Sequence, residues 1–203
     1  MFINKYIYFM EMIKMPARKQ ITREMILSAA FELLKEGGID AVNVTALARK
    51  LHCSTQPIYL SFSGMDALRE ALRTLAVQKF ADEMLEMSGD GIIRLYGIRY
   101  IRYAMKEKEV FKFIFMRQNS FEEIKQLLQP ITEQAIQELM KQYNIDHDEA
   151  HYFHDQLWMH THGIAAMAAT EFCQWDMEKV ERMLRECELY LGKKYEKTGK
   201  YNG

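Results

Sequence analysis

Apolar residues recur every three or four positions through most of the chain, and no stretch alternates as a half-buried strand does. Ile26, Ala30, Leu33 and Leu34 form one such stripe and predict a first helix from about Arg23 to Glu36. Thr22 is placed to cap it, Ile21 to staple against Ile26, and Gly37-Gly38 to end it with a left-handed residue. Val44, Leu47, Ala48 and Leu51 share the buried face of a second helix, with Asn43 as its N-cap. A turn at His52-Cys53 follows. Ser54 can cap a short third helix in which Thr55 and Gln56 come first and Pro57 third, a position where a missing N–H costs nothing. Ile58 and Phe62, four apart, face the core, while Thr55, Gln56, Tyr59 and Leu60 fall on other faces. Ser63-Gly64-Met65-Asp66 opens a fourth helix that runs to about Glu86.

Ser88-Gly89-Asp90-Gly91 is the clearest break beyond this point. Further helices are predicted from Ile92 to Met105, Val110 to Met116, after Ser120 with a kink at Pro130, His147 to Phe172, and Asp176 to Leu191. Lys193 to Gly203 is polar and basic and reads as disordered. The fold class is therefore all-α. Residues 16–72 form a small N-terminal head, 73–192 a larger helical body and 193–203 a tail. Residues 1–15 are an extension. Met15-Pro16-Ala17-Arg18-Lys19 reads as a natural start followed by a basic arm.

Composition supports this picture and narrows the function. With 203 residues and only three prolines, the chain favours helix throughout. Its near-zero net charge hides an asymmetry: residues 16–73 carry eight Lys/Arg and six Asp/Glu, residues 74–192 thirteen and twenty. A mildly basic head on an acidic body suits contact with a polyanion. Cys53, Cys173 and Cys187 are widely spaced, so no disulfide framework or zinc site is implied and reduced cytoplasmic thiols are expected. The apolar run in residues 1–15 is interrupted by Lys5, Glu11 and Lys14, lacks a cleavage site and is too short to span a bilayer.

Two short helices joined by a tight turn, the second polar, make a helix-turn-helix suited to DNA. Gln56, Thr45, Thr55, Pro57 and Leu60 are the candidate readers of base edges and thymine methyls, with Gln56 best suited to adenine. Arg18, Lys19, Tyr59 and Ser61 are the candidate phosphate contacts, and Ser54 belongs to the same surface. From about Thr22 to Leu72 the chain resembles the N-terminal domain of TetR/AcrR-family transcriptional regulators. The shared features are Lys-Glu-Gly-Gly-Ile at 35–39, Leu47-Ala48, Pro57-Ile58-Tyr59…Phe62, and Phe62-x-x-Met65-x-x-Leu68. Two positions depart from the family pattern. His52 stands where glycine is usual, in a turn whose left-handed backbone would strain it. Met65 stands where a phosphate-holding lysine is usual, which implies a weaker clamp on the DNA backbone.

The resemblance implies a homodimer built on the last two long helices. Gly163 to Ala169, rich in small residues, would allow another helix to approach closely, although these residues could equally pack within one subunit. Two heads on a two-fold axis would read a palindromic operator with half-sites about one helical turn apart. Trp158-Met-His-Thr-His162-Gly163 resembles a Trp-x-x-x-His-Gly signature of one subgroup. Trp158 and His162 share a face and, with Tyr96, Tyr100, Phe111, Phe115 and Met159, could line a pocket for a small apolar effector; core packing is the alternative for each. His147, His151 and His154 lack a metalloprotease or di-iron spacing and read as a polar face, and no cofactor fingerprint is present. The sequence thus reads as a ligand-responsive repressor acting on an operator as a homodimer, without enzymatic activity. The alternative is a helical ligand-binding or enzymatic protein whose head has lost DNA binding.

Overall fold

A computed structural model describes residues 20–85, 92–118 and 121–196. These form helices only: α1 (Arg23–Ala41), α2 (Val44–Lys50), α3 (Gln56–Ser61), α4 (Met65–Leu85), α5 (Ile92–Lys106), α6 (Lys108–Phe115), α7 (Phe121–Tyr143), α8 (His147–Ala169) and α9 (Met177–Glu196). The break at 88–91, the extension at 1–15, the arm residues Arg18 and Lys19, and residues 197–203 lie outside the described residues.

Local chemistry sets the boundaries of the head. The Thr22 hydroxyl accepts from the Met25 N–H at 3.3 Å, and Asn43 Oδ1 from the Ala46 N–H at 2.9 Å, so two orphan donors are capped. Gly37 and Gly38 leave helical geometry, and Gly38 takes φ 72°, ψ −172°, a region essentially reserved for glycine. The chain then makes a further turn to Ala41, so α1 extends beyond the expected stop at Glu36. Helix α3 begins one residue later than expected. Thr55, not Ser54, is its N-cap, without a side-chain capping bond, and Pro57 sits in the first turn.

Two further expectations change in the body. Helix α7 carries Pro130 in its interior, as expected. Helix α8 stops at Ala169 rather than Phe172, where Thr170 turns its hydroxyl back onto the Ala166 carbonyl and Glu171 adopts φ 57°. Helix α9 passes the expected end at Leu191 and reaches Glu196, so residues 193–196 are helix rather than disordered tail. Gly192 is no helix stop. It lets α9 approach Tyr143 so closely that a Cβ there would lie 2.7 Å from the ring, and Tyr195 is buried beyond it.

Helix α5 packs along α8, α7 flanks α8, and α9 crosses α5 and α8. One apolar core runs unbroken from Ile26, Leu34 and Leu47 in the head, through Leu72 and Phe80 on α4, to Ile101, Phe111 and Ile164 in the body. A second cluster around Leu139, Tyr143, Phe153 and Tyr195 closes the far end. Helix α4 is not alone in joining head to body, because α6 packs extensively against α1. Lys35 Nζ on α1 lies 3.2 Å from Glu107 Oε1, and a Cβ at Gly38 would lie 2.6 Å from the Glu109 carboxylate.

Gly38→Ala therefore meets both a forbidden backbone angle and the Glu109 side chain. It should destabilise the fold by about 1–3 kcal/mol in urea unfolding. A loss under about 0.5 kcal/mol, the range of neutral surface changes, would mean that this turn is not constrained as described.

Candidate nucleic-acid interface and effector cavity

The α2–α3 unit exposes what a groove-reading element needs to expose. Its buried side comprises Ala46, Leu47, Ala48, Ile58 and Phe62. On its outer side Thr45, Ser54, Thr55 and Gln56 are exposed, Pro57 and Ser61 are half-buried, and Tyr59 and Leu60 are 60% and 80% exposed. An exposed leucine and tyrosine on a six-residue helix, with the neighbouring apolar residues buried, mark a surface prepared for contact. His52 adopts φ 51°, so the turn does require the left-handed backbone that the sequence placed there. Met65 is half-buried and packs on the head core, which accounts for an apolar side chain at that position.

One contributor was missed in the sequence. Arg23 donates from Nη1 to the Ser61 carbonyl at 2.7 Å and lies over the Phe62 ring at 3.9 Å, tying the end of α3 to the start of α1. Arg49 is exposed in the last turn of α2, beside the left-handed turn. The pair Arg49-Lys50 was visible in the sequence, but only the fold separates the two: Lys50 Nζ is held by Glu36 at 2.7 Å.

The body holds a cavity of about 270 Å³ between α4, α5, α6, α7, α8 and α9. Of the seven expected effector residues, Tyr96, Tyr100, Phe115 and Trp158 line it. Phe111 is fully buried and packs against Phe115 with ring centroids 4.8 Å apart and planes tilted by 40°. His162 stands behind the wall: its Nδ1 is 2.8 Å from Tyr100 Oη, and its ring stacks on Trp158 at 5.0 Å. Met159 is 52% exposed on another face of α8 and takes no part in the wall. Phe80, Met84, Phe121, Ile124, Leu128 and Thr161 are among the other lining residues, and Arg94, Lys125, His151, His154, Asp155 and Glu188 are the titratable ones. The sequence did not single them out, because periodicity marks a buried face without saying which buried faces leave space between them.

Burial is the main influence on the titrating groups here. It pushes the Tyr100 hydroxyl well above its ordinary value, against a smaller opposing pull from the Trp158 indole. It holds the His162 imidazole below its ordinary value, and likewise His154, where Asp155 pulls the other way. A neutral His162 beside a protonated Tyr100 makes Nδ1 the natural acceptor of the tyrosine O–H. His151 and His154 face Asp155 at 3.5 Å and 3.6 Å, and His147 faces Glu133 at 3.5 Å. Among the described residues no three His, Cys, Asp or Glu side chains are grouped to hold a metal ion, and no helix is long and apolar enough to cross a membrane.

These features define a helix-turn-helix protein with a ligand-sized cavity in an all-helical body. Residues 26–72 match the family model described as bacterial regulatory proteins, tetR family. The HTH-type transcriptional regulator YobS of Bacillus subtilis (strain 168) is 24% identical over 107 residues, 51% of this chain and 56% of the relative's length. A TetR-like transcriptional regulator from Rhodococcus sp. RHA1 superposes with a TM-score of 0.60 at 14% identity, covering 85% of this chain and 97% of that one. A TetR variant from Acinetobacter baumannii AYE, solved in complex with minocycline, gives 0.57 at 15% identity, covering 87% and 97%. Residues 26–72 are thus similar to the DNA-binding head of the tetR family, and the chain as a whole shares the fold of these two solved structures.

The depressed histidine values fix the sign of a pH effect. Folding keeps His162 and His154 less basic than in the unfolded chain, so the unfolded chain binds more protons below about pH 6.5. Their contribution is complete above about pH 6.5 and is lost as pH falls toward the folded values. Glu24, Glu133 and Glu171 are held below the ordinary glutamate range, so their contribution is lost only at more acid pH. The urea midpoint should therefore drop between about pH 7.5 and about pH 5.5, and His162→Gln should shrink that drop. An equal drop in the variant would remove His162 as a source.

Proposed function

We propose that the chain is a DNA-binding transcriptional regulator that occupies a palindromic operator as a homodimer, represses from it, and is released or retuned by a small apolar effector. It acts by binding rather than by catalysis, as a cytoplasmic protein. The observation that carries the DNA reading is the exposed outer face of α3, with Gln56, Tyr59 and Leu60 presented on a helix anchored by Ile58, Phe62 and the Arg23 bond. In this reading Thr45, Thr55, Gln56, Pro57 and Leu60 contact bases. Tyr59, Ser61, the arm residues Arg18 and Lys19, and the exposed Arg49 contact phosphates. The names of the related regulators support the reading.

A second copy is proposed to cover α8 and α9. Tyr152, Met159 and Gly163 fall along one stripe of α8, and no described atom lies within 4 Å of a Cβ built on Gly163. Leu189 and Tyr190 are exposed on α9. The effector is placed in the cavity, a reading supported by the minocycline complex of the Acinetobacter relative. Phe80 and Met84 bring α4 into the cavity wall, and Phe115 brings in α6, whose other end meets Lys35 and Gly38 of α1. A ligand that prefers one arrangement of these helices biases the separation of the two heads, which requires different affinities for the two states.

Gln56→Ala should lose about 1–3 kcal/mol of discrimination at a single base pair in a binding-site selection; an unaltered selected motif would refute base contact by Gln56. Tyr59→Phe should instead weaken all sequences alike, and a sequence-selective loss would exclude the phosphate role. Binding to DNA flanking its own gene should weaken with salt in a log–log line. Absence of salt-dependent binding would favour the alternative, a helical ligand-binding protein that no longer reads DNA.

A further inference from the structure

Among the described residues three that are not glycine adopt left-handed backbone angles: His52 at φ 51°, Asn144 at φ 50° and Glu171 at φ 57°. The conformation is strained for any side chain beyond glycine, so each residue held in it calls for a reason. After glycine, asparagine visits it most readily. Glu171 follows the end of α8, and its carboxylate meets Lys108 Nζ at 2.5 Å. His52 has no such reason inside the molecule. Its imidazole is exposed and makes no hydrogen bond, ion pair or ring contact with any described residue. Only its backbone is engaged, the N–H donating to the Arg49 carbonyl at 3.2 Å. The core beneath holds the turn in shape but gains nothing from the ring, and glycine would make the same turn without strain. An unengaged side chain kept in a costly conformation points to a partner outside the chain. Its position says which. In a helix-turn-helix the first helix crosses the DNA backbone and the second enters the groove, so a residue between them stands at the groove's edge, beside phosphates. Arg49, three residues earlier, is exposed and pairs with no carboxylate among the described residues. Lys50 is taken up by Glu36 at 2.7 Å, α3 carries no charged residue, and α4 opens with Met65. The unengaged basic side chains at this turn are therefore Arg49 and His52.

We propose that His52 is a DNA-contact residue, its ring N–H donating to a phosphate oxygen at the edge of the groove next to Arg49. The proposal rests on the DNA-binding reading of the head and adds to it a contact in the turn itself. The histidine lowers the stability of the free head and raises its affinity for DNA, which accounts for a strained side chain with no partner in its own chain.

His52→Gly removes the ring and relieves the backbone together, so stability and affinity should part company. The urea midpoint of the free protein should hold level or rise. Affinity of the full chain for fluorescein-labelled duplex DNA of random sequence, measured by anisotropy at low salt, should fall by about fivefold or more, because the proposed dimer loses one hydrogen bond in each head. A random pool suffices, since phosphate contacts carry no sequence information. A lower urea midpoint would make the ring part of the fold and overturn the proposal, and unchanged affinity would overturn it as well. Glycine could also weaken binding by loosening the turn, so the contact is read directly in the parent chain labelled at histidine. The ring NMR signal that His52→Gly removes should shift when the same DNA is added, and a stationary signal would overturn the contact whatever the affinities. A parent chain that fails to bind the duplex at low salt would overturn the DNA-binding reading and this proposal with it. A parent and a glycine variant that bind equally well would leave that reading standing and overturn only the role of His52.

Discussion

The buried face of α4 is the constraint on which the rest of the molecule depends. Leu68, Leu72, Ala76, Phe80 and Met84 recur every fourth residue, and all are nearly inaccessible to solvent. The first two belong to the head, while Phe80 and Met84 line the body cavity. Each large side chain stabilises by roughly 1.5–3 kcal/mol through burial, so the stripe holds the helix against both units at once. A shift of α4 that improved its packing on a ligand would have to be matched in the head or be resisted by it, because close-packed cores transmit displacement rather than absorb it.

Helix α6 makes that constraint two-sided. Phe115 ends it in the cavity wall, Phe111 and Ile114 bury it in the common core, and its first residues meet α1 through Lys35–Glu107 and the Gly38–Glu109 contact. Glu109 is also paired with Lys112, and Lys108 reaches Glu171 at 2.5 Å. The exposed ion pairs contribute little energy individually. Lys35–Glu107 and Lys108–Glu171 mark where the start of α6 meets α1 and the segment after α8.

The head was legible in the sequence because its local signals and its tertiary contacts agree. Asn43 caps α2, Pro57 sits in a first turn, Ile58 and Phe62 are buried, and the turn at His52 is left-handed. Where local and tertiary demands diverge, the sequence misleads. The last helix reads as ending at Leu191, yet it continues to Glu196, and Gly192 within it permits close contact with Tyr143. Trp158 and Met159 are adjacent and both apolar, yet one lines the cavity and the other faces out, because α8 turns through about 100° between them. Phe111 and Phe115 share a stripe, but α6 tilts only the second into the cavity. Which helix covers which face is a long-range property that periodicity does not encode.

His52 and Met65 take on a common meaning in this structure. The left-handed backbone at residue 52 is retained with a histidine, so the turn geometry is kept at the cost of strain, roughly 1–2 kcal/mol for a non-glycine residue. A turn held under strain must be over-determined by its surroundings, and the Leu47, Ile58 and Phe62 core beneath it supplies that. At residue 65 the side chain joins this core, and the position provides no cation. The head is therefore rigid in shape and modest in charge. On the proposed reading, phosphate attraction contributes less than in a strongly basic reader, and a larger share of recognition falls to the contact surface of α3. The exposed Leu60 and the Tyr59 ring, which would be liabilities on an unpartnered helix, are then the parts of the head best suited to that share.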